Sequence, residues 1–198
     1  MLLQKKRFRD NGLYQFMCDQ LRLSKFRQAA LKKIDYWLDI RQDIVRPSWD
    51  EYFLNLAFEV SKRSHDLQTQ HGSVIVNNTN EIISTGYNGT LRDINDEILP
   101  NVRPEKYDWM IHSEHVNILT CARQGKSTLG TKIYVTGEPC LYCYQYIWQV
   151  GITEVIYGNQ TSNMTQDIDM QTKVEIFKAL TKHSLTIRHI DFPKKPQD

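Results

Sequence analysis

The chain has 198 residues, of which 40% are hydrophobic, 24% are charged and 11% are aromatic. This composition is typical of a globular protein that buries a core, so it excludes a largely disordered chain. The length fits one domain of ordinary size with an appendage and disfavours two full domains.

Membrane and secretory signals are not evident in the sequence. No apolar run approaches the roughly 18 residues that a membrane span needs, and the N-terminal MLLQKKRFRD carries charges where a signal peptide needs apolar residues. Cys18 and Cys121 lie far apart and without paired spacing, which argues against a disulfide framework. We therefore expect a cytoplasmic protein with no membrane partner.

Charge is distributed unevenly along the chain. The net charge is +2, yet residues 1–46 hold 11 Lys and Arg against 5 Asp, so the remainder of the chain is net negative. A net negative domain lacks the basic surface that long contacts with nucleic acid demand. We therefore do not expect nucleic acid to be the partner of residues 47–198.

The basic N-terminal segment has apolar residues at helical spacing, which predicts an amphipathic helix. These residues are Phe26, Ala30, Leu31, Ile34, Trp37 and Leu38. The helix is expected to dock on the rest of the chain or on another subunit, and an arm that binds nucleic acid or another anion is the alternative. We treat residues 1–46 as a helical extension and residues 47–198 as the domain proper.

The domain proper opens at Ser48, which stands three residues before Glu51 in the arrangement of a capping box. A helix is predicted from there to about Arg63. Its predicted buried face includes Tyr52, Leu54, Ala57 and Val60 among others. Two β-rich runs follow, GSVIVNN and EIISTGYNG, and the polar turn between them predicts a hairpin over residues 72–85.

Residues 87–111 have no steady periodicity and predict a long loop, which in a compact domain is usually functional or disordered. The next stretch, IHSEHVNILTCARQG, has the spacing of a helix that ends near Gly125. The residues at this spacing are Ile111, His115, Ile118, Leu119 and Ala122.

The C-terminal third alternates between predicted strands and helices. TKIYVTG and TEVIYG predict buried strands, with a helix from Cys140 to Val150 between them. A helix over about residues 172–182 and a short strand, SLTIRHI, complete the pattern. This order of elements predicts a mixed sheet with helices on both faces.

Two motifs carry candidate chemistry, His112-Ser113-Glu114 and Pro139-Cys140-Leu141-Tyr142-Cys143, and each stands at the predicted start of a helix. One imidazole and two thiolates suit tetrahedral zinc, and three protein ligands leave the fourth position open for water, as in a catalytic site. The positive ends of the two helices help to keep the thiolates ionised. Glu114 is placed to move protons rather than to bind metal.

A redox role or a purely structural role for the cysteine pair accounts for less of the sequence. A redox pair at Cys140 and Cys143 leaves His112 and Glu114 without a purpose, and a structural zinc lacks its fourth ligand unless His115 supplies it. The combination H-x-E with P-C-x-x-C is the known signature of zinc-dependent nucleobase deaminases.

Over residues 46–160 the chain resembles the deoxycytidylate (dCMP) deaminases. The matching stretches are RPSWDEYF, KRSHDLQTQHGSVIVNN, STGYNG, YDWMIHSEHVN, TGEPCLYC and GITEVIYG. The resemblance implies a cytidine-deaminase-like three-layer α/β/α sandwich with a mixed central sheet of about five strands. It also implies that His112, Cys140 and Cys143 bind zinc, while Glu114 protonates N3, takes a proton from water and passes protons to the departing ammonia.

The resemblance further implies residues that bind the nucleotide. Asn88 would reach the sugar, although an asparagine before Gly89 also suits a simple turn. Tyr107 and Trp109 could stack on the base, with a place in the core as the alternative. Arg63 is the first choice of cation for a 5′-phosphate, but a solvated arginine at a helix end is an equal alternative.

Arg92 and Lys106 are the other cation candidates near the motifs. The chain departs from the family pattern at Ser113, where alanine is usual, at Thr90 and Leu91, where a proline usually follows GYNG, and at His71, which replaces an apolar residue. We expect His71 to be a satisfied structural histidine. Because the long loop has no cysteines, we expect one zinc per chain.

The expected activity is therefore hydrolysis of dCMP to dUMP and ammonia for thymidylate synthesis, with dCTP to dUTP as a further reaction left open. Regulated members of the family bind dCTP as activator and dTTP as inhibitor, with Mg²⁺, near the GYNG turn, and they form homohexamers. The alternative is a tRNA or single-stranded DNA deaminase with the same zinc site, which the basic extension favours. A non-catalytic relative that only binds effectors is a third hypothesis, and Glu114 argues against it.

Overall fold

The computed structural model describes residue 16 and residues 27–41, 46–161 and 167–193. The chain divides into two compact units between Arg46 and Pro47. In the N-terminal unit, helix α1 covers Arg27–Ile40, so the helix that the apolar spacing predicts is present. Phe26 and Cys18 lie outside the described residues, and the role of residues 1–46 stays a prediction.

In the described ranges, none of the helices combines the length and the apolar character that crossing a bilayer requires.

Helix α2, Trp49–Ser61, begins with the predicted capping box. The Ser48 Oγ accepts a hydrogen bond from the backbone N–H of Glu51 at 3.2 Å, and the Glu51 carboxylate accepts one from the backbone N–H of Ser48 at 3.0 Å. Two orphaned amides at the start of the helix are thereby satisfied.

The buried face of α2 agrees with the prediction in part, since Leu54 and Ala57 are buried as expected. Tyr52 is 45% exposed, Val60 is only partly buried, and the buried residues are Phe53, Leu54, Ala57 and Ser61. The reason is a close backbone contact with the sheet, since a Cβ atom at Gly72 would lie 2.0 Å from the Ala57 carbonyl oxygen. This contact turns the side of α2 that carries Ala57 and Ser61 towards the sheet.

The central sheet has five strands. They are β1 (Gly72–Val76), β2 (Ile82–Tyr87), β3 (Lys132–Gly137), β4 (Glu154–Gln160) and β5 (Thr186–His189). Their order is β2-β1-β3-β4-β5, in which β1 is antiparallel to β2 and β3, while β4 is parallel to β3 and β5. The sheet is therefore mixed, and its hairpin is the one predicted from the polar turn.

Helices cover both faces of the sheet. Helix α2 packs on one face over a core that includes Phe53, Val74 and Ile156. The other face carries α3 (Ser113–Arg123), α4 (Leu141–Gln149) and α5 (Ile168–Thr181), over a core that includes Ile75 and Val135. The predicted three-layer α/β/α sandwich with a mixed five-stranded sheet is confirmed.

Helix α3 is present as predicted, but of the residues at helical spacing only some are buried, Ile118 among them. Leu119 is 58% exposed, whereas Glu114, Asn117, Ile118 and Cys121 are buried. The inner face is partly polar because Asn117 donates a hydrogen bond to the Ser73 Oγ at 3.0 Å.

A glycine brings α3 close to the hairpin. A Cβ atom at Gly86 would lie 2.5 Å from the carbonyl oxygen of Ser113 and 2.8 Å from Asn117. The first turn of α3 therefore lies directly against β2, which places the side chains of His112 and Glu114 at the edge of the sheet.

The predicted long loop between β2 and α3 contains only two short 3-10 turns, Asp96–Ile98 and Glu105–Asp108. The two ends of the loop meet beside the sheet, since Gly89 and Ile111 exchange backbone hydrogen bonds of 3.1 and 2.7 Å. The loop is thus closed immediately before His112.

Asp50 should make stability depend on pH. Arg188 donates two hydrogen bonds to this carboxylate, at 2.8 and 3.1 Å, and Tyr134 donates a third at 2.9 Å. The bonds from Arg188, more than any other contact, lower the pKa of Asp50 below 3.8. The ionised Asp50 carboxylate therefore contributes fully to the free energy of unfolding above about pH 4. This contribution is lost as the pH falls through the pKa of Asp50 in the folded protein. Thermal unfolding should show Asp50→Asn less stable at neutral pH, with the difference narrowing at acidic pH. A difference that stays constant down to pH about 2 would contradict this assignment.

Candidate metal centre and nucleotide pocket

Two helix starts converge to form a candidate metal centre. His112 is the residue before α3, and Cys140 is the residue before α4, with Cys143 in the first turn of α4. The His112 Nδ1 lies 3.3 Å from the Cys143 Sγ and 3.6 Å from the Cys140 Sγ, and the two sulfurs are 3.6 Å apart. Among the described residues, this is the group of metal-ligating side chains that lies close enough to hold one ion.

These distances fit zinc. With Zn–S bonds of about 2.3 Å and a Zn–N bond of about 2.05 Å, tetrahedral geometry separates two sulfurs by about 3.8 Å and a nitrogen from a sulfur by about 3.6 Å. The observed separations lie within a few tenths of an ångström of these values. The ligand set is thus already arranged for zinc through the Nδ1 of His112.

The three ligands perturb one another's protonation. The pKa of His112 is raised to about 9, mainly by its hydrogen bond with Cys140. The hydrogen bond from Cys143 is the main cause that lowers the pKa of Cys140 to about 5, while burial raises the pKa of Cys143. One sulfur is therefore a thiolate at neutral pH, and metal binding would release the remaining ligand protons.

Glu114 lies beside the candidate metal centre in the first turn of α3 and is only 5% exposed. Its carboxylate accepts a hydrogen bond of 3.0 Å from the hydroxyl of Ser113, the residue at which the chain departs from the usual H-A-E pattern. The Ser73 hydroxyl in turn donates to the backbone carbonyl of Ser113 at 3.0 Å. Ser113 is thus compatible with the site and helps to orient the carboxylate.

A cavity of about 600 Å³ opens over these residues. This volume is within the range of roughly 300–1,000 Å³ that is usual for small-molecule sites. The predicted site residues in its wall are His112, Cys140, Glu114, Asn88 and Tyr107. Cys143 is fully buried, and neither Arg63 nor Trp109 is among the residues that form the wall.

The aromatic candidates do not belong to the core. Tyr107 is 46% exposed and Trp109 is 44% exposed, which rules out the alternative that they are simple core aromatics. Tyr107 lies at the cavity, whereas Trp109 is elsewhere on the loop. Arg63 is exposed beyond the end of α2.

The Asn88 side chain is held by neighbouring groups. Its Nδ2 donates to the Asp66 carboxylate at 3.1 Å and to the Thr69 carbonyl at 2.9 Å, and its Oδ1 accepts from the backbone N–H of His71 at 2.7 Å. Both amide hydrogens are therefore in use, and a lone pair on Oδ1 remains for a ligand.

Lys106 and Asp66 form a buried ion pair in the cavity wall. Their side chains are only 3% and 4% exposed, and the Lys106 Nζ lies 2.7 and 2.6 Å from the two Asp66 oxygens. Burial acts to raise the pKa of Asp66, but the bonds from Lys106 and from two backbone amides lower it overall. Lys106, a candidate for the phosphate, is therefore neutralised by a carboxylate that the sequence did not single out.

Arg103 is a cavity residue that the sequence did not reveal. Its Nη2 donates to the Thr69 Oγ1 at 2.6 Å, and its backbone N–H donates to Gln68 at 3.0 Å. In the described part of the chain no carboxylate pairs with its guanidinium, and its buried Nε has no partner. Its place in a long loop was the signal that could have drawn attention to it.

His71 also belongs to the cavity wall. Its Nδ1 lies 3.1 Å from the Thr136 Oγ1, as expected of a structural histidine, but its Nε2 is buried without a partner among the described residues. The expectation of a satisfied histidine thus holds for one ring nitrogen and is wrong for the other.

A mixed α/β/α sandwich with one histidine and two cysteines at helix starts, and a buried glutamate beside them, is the arrangement typical of the zinc-dependent nucleobase deaminases. Comparison with known proteins agrees with this class. The family model of the cytidine and deoxycytidylate deaminase zinc-binding region matches residues 47–159. The chain belongs to this family.

Several relatives with similar sequences are named deoxycytidylate deaminases. Human deoxycytidylate deaminase is 36% identical over 136 residues, which are 66% of this chain and 70% of the human protein. The enzyme of Saccharomyces cerevisiae is 31% identical over 189 residues, 86% of this chain and 56% of the yeast protein. A probable deoxycytidylate deaminase of Drosophila melanogaster is 37% identical over 55% of this chain and 58% of its own length. The chain thus spans little more than half of the yeast and fly proteins.

Solved structures support the same fold. The dCMP deaminase of cyanophage S-TIM5, solved with dCMP and dUMP, matches with a TM-score of 0.57 at 20% identity, covering 74% of this chain and 100% of the phage protein. At this level of identity the match establishes the fold alone.

Proposed function

We propose that the chain is a zinc-dependent dCMP deaminase, which converts dCMP and water to dUMP and ammonia. The observation that carries this proposal is the buried Glu114 beside a zinc-ready triad at the wall of a nucleotide-sized cavity. The names of the human, yeast and fly relatives, all deoxycytidylate deaminases, support the choice of substrate.

His112, Cys140 and Cys143 would hold the zinc. Zinc in such a site acts as a Lewis acid that makes water a competent nucleophile near neutral pH. Because burial and the surrounding sheet and helices fix all three ligands, the reacting C4 carbon of the base would have one defined place in the cavity.

Glu114 would manage the protons of the reaction. Its carboxylate takes a proton from the attacking water and delivers one to N3 of the base, which makes C4 more electrophilic. As the C4–N bond breaks, the carboxylate takes the proton of the new C4 hydroxyl, which becomes the C4 carbonyl of dUMP, and passes it to the departing amine, which leaves as ammonia. The hydrogen bond from Ser113 holds the carboxylate in position for both transfers.

Asn88 and Tyr107 would bind the sugar and the base. The free lone pair of the Asn88 Oδ1 suits a donor such as the 3′-hydroxyl of a deoxyribose. Tyr107 offers an aromatic face at the cavity for stacking. Trp109, which follows the same 3-10 turn, stays a candidate for stacking.

Arg103 is our candidate for the 5′-phosphate. It is the cation of the cavity wall that is free of a carboxylate among the described residues, whereas Lys106 is paired and Arg63 lies outside the wall. A guanidinium with unpaired N–H groups can bind a phosphate by two parallel hydrogen bonds.

The phosphate assignment predicts a substrate-dependent effect. Arg103→Gln should raise KM for dCMP by about 10- to 100-fold and leave kcat/KM for deoxycytidine nearly unchanged, because the nucleoside has no phosphate. Arg63→Gln serves as the matched control and should resemble the parent. The reverse result, a phosphate-dependent loss at Arg63, would return the role to the residue that the sequence first suggested.

Several finer features belong to the same proposal. Regulation by dCTP and dTTP with Mg²⁺, turnover of dCTP, assembly into a homohexamer and a cytoplasmic location would follow from the family resemblance. Sedimentation with and without dCTP and Mg²⁺ would test the assembly, and the dCMP saturation curve under the same conditions would test the regulation.

The substrate proposal is tested with a panel. Purified zinc-loaded protein should turn over dCMP faster than CMP, deoxycytidine or cytidine in single-stranded RNA, with dUMP identified by chromatography. Turnover of RNA alone, with binding that weakens steeply in salt, would instead favour the polynucleotide alternative.

A further inference from the structure

His71 is held rigidly between two parts of the cavity. Its backbone N–H donates to the Asn88 Oδ1 at 2.7 Å, and its backbone carbonyl accepts from the Asn88 N–H at 3.0 Å. On the other side its ring contacts Thr136 on β3, and a Cβ atom at Gly137 would come within 3.2 Å of its Cε1. The imidazole therefore has a fixed position in the cavity wall.

The hydrogen bonds of Thr136 define which ring nitrogen carries the proton. The Thr136 Oγ1 accepts from the backbone N–H of Gly72 at 3.2 Å and lies 3.1 Å from the His71 Nδ1. No other acceptor bonds to this hydroxyl in the described part of the chain, so its hydrogen is directed to Nδ1. Nδ1 is then the acceptor and Nε2 carries the N–H.

The imidazole is neutral, because burial lowers the pKa of His71. The charged groups near it are Glu114, His112, Asp66 and Lys106, whose effects oppose one another. The Nε2–H is buried without a partner among the described residues, which is a costly arrangement in the absence of a ligand. A donor left free in a cavity wall indicates that a ligand acceptor completes it.

The reaction geometry indicates which acceptor this is. C4 of the base must lie at the metal ligands and N3 at Glu114, so the next group along the ring edge is C2 with its oxygen. His71 is a wall residue two positions before Ser73, whose hydroxyl bonds to the backbone of Ser113 beside Glu114. We propose that the Nε2–H of His71 donates a hydrogen bond to the 2-oxo oxygen of the pyrimidine and thereby selects cytosine bases. This inference rests on the proposed function.

The contact would discriminate between the two base classes that such a zinc site can deaminate. An adenine with C6 at the metal and N1 at Glu114 presents a C2–H to the same place. The Nε2–H would then stay unpaired, which penalises adenine. His71 is thus a specificity residue, at a position where the family pattern has an apolar side chain.

Two variants and two substrates test the contact. The variant His71→Val removes the donor, whereas His71→Gln retains an N–H near the place of Nε2. We expect His71→Val to lower kcat/KM for dCMP by about 10- to 100-fold, and His71→Gln to restore most of it. With 2-thio-dCMP, whose sulfur is a weak acceptor, the parent and His71→Gln should lose activity relative to dCMP, and His71→Val should lose much less.

Product binding separates this inference from the proposed function. Calorimetric titration with dUMP and 2-thio-dUMP requires no turnover, and zinc content and the unfolding temperature verify that each variant is folded. A preference for dUMP in the parent that disappears in His71→Val supports the contact even if dCMP is not turned over, in which case the proposed function fails alone. If the protein turns over dCMP and the 2-thio substitution lowers kcat/KM equally in the parent and in His71→Val, the contact is overturned. The proposed function would then still stand.

Discussion

Replacing Glu114 with glutamine should lower kcat for dCMP by about 10²- to 10⁴-fold, the usual contribution of general acid–base catalysis, and leave one zinc bound per chain. Glutamine has the shape of glutamate but can neither accept the proton of water nor deliver one to N3. The Ser113 hydroxyl can still donate to the side-chain oxygen, so the first turn of α3 should keep its structure.

The matched control for this variant is Glu59→Gln. Glu59 is an exposed residue of α2 that pairs with Lys62 and is not among the residues of the cavity wall. Zinc should be measured in both proteins by atomic spectroscopy, and kcat by ammonia release. If the Glu114 variant turned over dCMP at the parent rate, the proton-transfer role would be excluded.

Replacing Cys140 with serine should remove zinc and activity together. A serine hydroxyl is a poor ligand at neutral pH, and the two remaining protein ligands do not form a closed or a catalytic zinc site. We expect zinc per chain to fall to a small fraction of the parent value, with turnover reduced in proportion.

Cys121→Ser provides the control for cysteine loss. Cys121 is also buried, at 1% exposure, but it lies on the inner face of α3 in the apolar core and outside the triad. This variant should retain one zinc. Full zinc occupancy in Cys140→Ser would contradict the ligand set, whichever activity accompanied it.

The elements of this fold were predictable where the signal is local. The capping box at Ser48, the turn before β2 and the left-handed Gly125 after α3 depend on neighbouring residues, and all three appear as expected. The metal triad was predictable for a related reason. Its two halves, HSE and PCLYC, are short motifs at helix starts, which parallel strands and their helices bring to one edge of the sheet.

Helix orientation was not predictable from apolar spacing. In α3 the apolar spacing includes the buried Ile118, but it also includes the exposed Leu119 and misses the buried Glu114 and Asn117. In α2 the close contact of the backbone with Gly72 decides which side faces the sheet, and the larger Tyr52 is left exposed. Both errors come from tertiary contacts that a count of apolar residues does not contain.

The nucleotide-binding residues show the same limit. Arg103 and the Asp66–Lys106 pair depend on two loops that meet in space, residues 64–71 and 88–111. Nothing in either loop alone indicates that Lys106 is neutralised while Arg103 is free of a carboxylate. For His71, sequence could show a departure from the family pattern but not the unpaired ring nitrogen in the cavity wall.

Ammonia release from dCMP by the zinc-loaded parent protein is the most direct test of the proposed deaminase. We predict steady turnover that yields dUMP and ammonia in equal amounts and that stops when a chelator removes the single zinc. A folded protein with one zinc per chain that produces no dUMP at any dCMP concentration would contradict the proposal.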